Sequence, residues 1–206
     1  MNITDKKLKQ LAGYALISTG ILATLGFLIH PHQSTGENYT MWIVGHIFIM
    51  SGLFTNLMGV FGLYVSKAKQ IGLEGLVGFL IVAISLALYL GKLYWSGFIY
   101  PLVIAEHPEF IEVHGFGPGS EPQDNIIRNV YFSGAIAFAI GHLILGIALL
   151  RAKCFPKTPV LFFLIGAFLV GLWPLLPNLV QHFSVIVSLI YATGISWLGI
   201  KLITEN

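Results

Sequence analysis

The chain has 206 residues, of which 56% are hydrophobic and 10% charged, and its formal net charge is +2. Soluble domains carry about a quarter charged residues, so the composition excludes an ordinary water-soluble enzyme, and no nucleic-acid partner is expected. The single cysteine, Cys154, excludes an internal disulfide, a CxxC redox pair and a thiolate cluster.

A spanning helix needs about 20 mostly apolar residues. Six stretches approach or exceed that length: Leu11–Ile29, Met41–Val65, Gly72–Val103, Val130–Leu150, Pro159–Leu176 and Asn178–Ile203. Little sequence remains to build a soluble unit, so residues 1–206 are expected to form a single transmembrane domain. The fold class expected is an all-α integral membrane protein, a six-transmembrane-helix bundle.

Lys6-Lys7-Leu8-Lys9 precedes the first apolar run, as in a signal peptide, but no small-x-small cleavage site follows it, so a first membrane helix is expected. Gly13 and Gly20 in helix one, Gly45, Gly52 and Gly59 in helix two, and Gly134 and Gly141 in helix four repeat every seven residues. Such a repeat keeps one stripe against a neighbour, and glycine lets the backbones approach and gain dispersion contact in lipid. A compact bundle without a wide pore follows.

Helix three, Gly72–Val103, would be nearly 50 Å long at about 1.5 Å per residue, well beyond a hydrocarbon core of about 30 Å. It must tilt, protrude, or break at Gly97 or Pro101. Lys92 near its outer end has a stem long enough to snorkel to water; the other reading pairs it with a carboxylate or an anionic ligand. The loop from Ile104 to Asn129 is the longest, and its Gly115-Phe116-Gly117-Pro118-Gly119 centre opposes helix. It is read either as a lid over an outer cavity or as a tethered surface loop. Pro174 and Pro177 interrupt helix five, marking a bend, a re-entrant turn or a plain helix end.

Lys6, Lys7, Lys9, Lys67, Lys69, Arg151, Lys153, Lys157 and Lys201 all fall on one side of a six-span chain. The positive-inside rule makes that side cytoplasmic, with both termini. The opposite side holds Glu37, Glu106, Glu109, Glu112, Glu121 and Asp124 with the long loop between helices three and four. Trp42, Trp95 and Trp173 fit an aromatic belt there.

Of the seven histidines, His30, His32, His46, His107, His114 and His182 belong to the outer half, and His142 lies deeper. Imidazole is a common metal and haem ligand. His46 and His142 lie inside apolar helices, each directly after a glycine, and an ionisable residue within a span points to function. The competing account is a neutral histidine satisfied by a neighbouring carbonyl or by Asn56. Counted from Met41 and Val130, their depths differ by roughly 10 Å, which argues against one iron shared by both. His30, His46 and His182 match in depth. No HExxH, GxSxG or P-loop occurs.

Gly141-His142-Leu143-Ile144-Leu145-Gly146 resembles a helix of the third subunit of haem–copper oxidases, and the glycine-flanked histidines are similar to those of b-type cytochrome helices. Each resemblance covers one helix and assigns no residue a role.

The leading expectation is a membrane-embedded haem b or metal-binding protein acting in electron transfer or sensing, with its site toward the extracytoplasmic side. Cofactor ligands are expected among His46, His182, His30 and His142, and a transition-metal ion would take His46, His182 and His30. The alternatives are a small transporter or substrate-binding module, a metal-dependent membrane enzyme using outer His and Glu side chains, and an accessory subunit of a larger membrane complex. Partners are the lipid bilayer and a redox partner or larger complex. A bacterial or archaeal cytoplasmic membrane is the expected location.

Overall fold

The computed structural model describes residues 4–31, 39–106, 122–172 and 183–205, and it is helical with no strand among them. Its helices are α1 (Asp5–Ile29), α2 (Tyr39–Tyr94), a π-helical turn (Trp95–Ile99) continuing into α3 (Tyr100–Glu106), α4 (Pro122–Arg151), α5 (Lys157–Leu172) and α6 (Ser184–Thr204). Four helical runs are long and apolar enough to cross a membrane, and α5 is a shorter apolar helix. Large apolar side chains such as Ile84, Phe54, Tyr14 and Leu102 face outward, while Thr19, Asn56, Ser85 and His142 are buried. Apolar surface on the outside and polar groups within is the distribution compatible with a lipid surrounding.

Six separate helices were expected, but five continuous helical runs appear among the described residues. The expected second and third helices are fused, because Ser66–Ile71 contains no residue that opposes helix. Only Gly72 interrupts them, at φ 56° and ψ −147°, a region essentially reserved for glycine. The chain reverses there. Trp42 Nε1 donates to Ser96 O at 2.9 Å, and the Tyr64 and Phe79 rings stack 5.0 Å apart. A straight helix would hold Trp42 and Ser96 about 80 Å apart, so residues 39–71 and 73–94 are two antiparallel arms.

The expected glycine stripes are the seams of the bundle. A Cβ at Gly52 would lie 2.9 Å from the Ala23 backbone nitrogen, which seats the first α2 arm on α1. Gly13 and Gly20 face Gly199 and Ala192 of α6, and Gly141 faces Val82 of the second arm. α4 also packs on α5, and α5 on α6. The helices therefore close into a ring, each antiparallel to its neighbours.

One end of the ring carries a charged cluster. Glu205 binds Lys67 at 2.6 Å and Lys9 at 3.2 Å, tying α6 to α2 and α1. Lys67 Nζ also lies 5.1 Å from the Phe155 ring centroid, and Arg151 pairs with Glu74 at 2.8 Å. Both ends of the described chain thus meet at the end that holds the Gly72 reversal and the α4–α5 loop. α4 begins at Pro122, earlier than the expected Val130; proline favours the first helical position, where its missing donor costs nothing. The centre of the Ile104–Asn129 loop, residues Pro174 and Pro177, and Trp173 lie outside the described residues.

Candidate functional site: a cavity between two histidine networks

One end of the site starts from Pro101. In the turn before it, the Tyr100 N–H closes onto Trp95 O, five residues back. Pro101 has no N–H to offer the next carbonyl. Ser96 O is thereby left without an intrahelical donor, and the Trp42 indole supplies one. The helix widens into a π turn at this point rather than breaking, as such turns do where a carbonyl is released. Gly97 lets the turn settle on His46, where an added Cβ would meet the His46 Cβ at 2.8 Å.

His46 Nδ1 lies 2.9 Å from Trp42 O, and its Nε2 lies 2.9 Å from Ser96 Oγ. A carbonyl only accepts, so Nδ1 carries the proton and the Ser96 hydroxyl donates to Nε2. His30 Nε2 approaches His46 Nδ1 at 3.2 Å and shares that proton as a second acceptor. The His30, Trp42 and His46 rings form a triangle with centroids 4.5 to 4.8 Å apart. Trp42 is half-buried, and its indole N–H is directed to Ser96 O within the bundle.

The deeper network follows the same logic. His142 Nδ1 lies 2.8 Å from Phe138 O, so it holds the proton and Nε2 must accept. The Tyr191 hydroxyl donates to it at 3.0 Å. Having spent its one proton, Tyr191 can only accept from Asn56, whose Nδ2 donates at 2.9 Å. This chain fixes the orientation of the Asn56 amide, and its buried Oδ1 is left with no hydrogen-bond partner. Asn56 lies ten residues inward of His46, roughly 15 Å along the helix.

A cavity of about 270 Å³ links the two networks. Its wall includes His30, Trp42 and His46 at one end, Asn56 and Tyr191 at the other, and Lys92 between them. Leu53, Phe138 and Val170 supply apolar wall. Lys92 Nζ sits 4.8 Å from the Tyr131 ring centroid, a cation–π contact.

The structure thus brings together His30 and His46 and leaves His142 apart, in line with the expected depth offset. His182, with His32, His107 and His114, lies outside the described residues. Among the described residues no group of three or more His, Cys, Asp or Glu side chains could hold a metal ion. Both nitrogens of His46 and of His142 already have protein partners. Sequence reasoning missed Ser96, Tyr131 and Tyr191. The only signal for Tyr191 is a hydroxyl in the middle of an apolar span. No family model, characterised protein or solved structure matches the chain.

Proposed function

We propose that the protein is a membrane-embedded binding module, or the binding unit of a small transporter, that admits a small solute into the bundle past His30 and His46. The observation that carries this reading is the cavity itself, a space of about 270 Å³ with polar groups at both ends in an otherwise glycine-tight bundle. At about 30 Å³ per water molecule, it has the volume of roughly nine waters. In this reading the two α2 arms are separate crossings, which gives six spans. The basic clusters around Lys67, Lys69, Arg151, Lys153 and Lys157 support a cytoplasmic position for both termini, and a bacterial or archaeal cytoplasmic membrane is the proposed location.

Cysteine accessibility tests the reading in a Cys154→Ser background. Leu53→Cys should react with a small membrane-impermeant thiosulfonate added from outside, whereas Leu86→Cys, buried in the core, should not. Absence of reaction at Leu53→Cys, or reaction from the cytoplasmic side only, would overturn it. Uptake into proteoliposomes separates a transporter from a binding module.

The 3.2 Å approach of His30 to His46 favours a second reading, in which these two residues, with His182, hold a haem b or a transition-metal ion for electron transfer or sensing. His46 would have to release Trp42 O or Ser96 Oγ, and a porphyrin would require the walls to separate. A Soret band, or stoichiometric metal in the purified protein, would establish this reading in place of the first.

A further inference from the structure

Two residues that line the cavity carry unmet demands of opposite kind. Lys92 is the only Asp, Glu, Lys or Arg among the described residues that line it. Among the described residues its ammonium has a ring contact but no carboxylate partner. An ammonium has three donors and no acceptor, and placing one among apolar walls is costly unless an anion or acceptor meets it. The Asn56 Oδ1 has the converse need: it is fully buried and without a donor, a state that is costly for a polar atom.

Their positions fix how a ligand would lie. Gly97 packs on His46, which sets the register of the two α2 arms. Lys92 is five residues inward of Gly97, and Asn56 ten residues inward of His46, so the two are offset by roughly 8 Å along the bundle. The Tyr131 ring holds the Lys92 ammonium at that level. The wall between them includes Leu53, Leu93 and Phe138. An anion at one end, a hydrogen-bond donor at the other and an apolar body about one ring long between them satisfy all three regions within the available volume.

We propose, resting on the cavity reading above, that this site selects a small apolar carboxylate carrying a hydroxyl or N–H at its far end, with the carboxylate on Lys92 and the donor on Asn56 Oδ1.

The test is equilibrium binding to the full chain in lipid nanodiscs, with empty nanodiscs as the partition control. The probes are 4-hydroxybenzoate, its uncharged analogue 4-hydroxybenzamide, and benzoate, which lacks the hydroxyl. The wild-type protein should prefer 4-hydroxybenzoate over the amide by about tenfold or more, and over benzoate by about fivefold. Lys92→Met should erase the first preference and leave the second, while Asn56→Leu should do the reverse. The assignment is overturned if the amide binds as well as the acid, if neither substitution alters its own preference, or if no probe binds. The wild-type comparison keeps it falsifiable should either variant fail to fold. Reactivity of Leu53→Cys from outside is independent of all three probes, so the ligand class can fail while the cavity reading stands.

Discussion

Tyr191 is the residue on which the deep network turns. Its hydroxyl donates to His142 Nε2 and accepts from Asn56 Nδ2, and Tyr191→Phe would strand both. Leaving a buried donor or acceptor unsatisfied costs about 1–3 kcal/mol. We expect that loss in denaturant unfolding of Tyr191→Phe, and a smaller one for Asn56→Leu, which removes an orphaned oxygen along with a donor. The sequence made His46 and His142 conspicuous because a lone ionisable group in an apolar run stands out. It could not show their partners: Ser96 and Tyr191 lie 50 and 49 residues away along the chain, and no local periodicity encodes such a pairing. Of the two partners expected for His142, a neighbouring carbonyl or Asn56, the geometry shows the carbonyl of Phe138, with Asn56 reached only through Tyr191.

At the level of helices, glycine acts in two separate ways that substitutions will distinguish. At Gly52 a methyl would press on the backbone of α1, whereas at Gly91 it would meet nothing within 4 Å. Gly52→Ala is therefore expected to destabilise by about 1–3 kcal/mol through overpacking. Gly91→Ala should stabilise by up to about 1 kcal/mol through helix propensity; thermal unfolding of the purified variants checks both. Gly72→Ala also has open space but should still destabilise by about 1–3 kcal/mol, because its backbone conformation excludes a side chain. The seven-residue glycine repeats made the seams legible in advance, since close approach leaves a periodic trace. The reversal at Gly72 left no trace beyond one glycine in a helix-compatible stretch. The π turn needed both Pro101 and a tryptophan from another arm.

For the molecule as a whole, Glu205 joins three segments. Burial raises its carboxyl pKa, but hydrogen bonds and charge from Lys67 and Lys9 outweigh that and hold it below its ordinary value of 4.5. A carboxyl with a depressed pKa contributes its stability above the unfolded-state value and loses it as pH falls through the folded-state value. Thermal stability should therefore drop as the pH is taken below about 4.5, and Glu205→Gln should flatten that part of the profile. At neutral pH the same substitution leaves the Lys67 ammonium buried with no counter-charge, so Lys67→Met added to it should recover stability. The one-sided distribution of basic residues was legible from the sequence, whereas a carboxylate shared by two lysines from distant helices was not.

α1 lies against α6 and Lys9 meets Glu205, so the first and last described helices are neighbours in the ring. A circular permutant with a short linker joining Glu205 to Thr4 and new ends opened in the Ala152–Pro156 loop should rebuild the same chamber around Lys92. Such a rearranged gene product would show that this architecture is held by its seams and not by the order in which its helices are threaded.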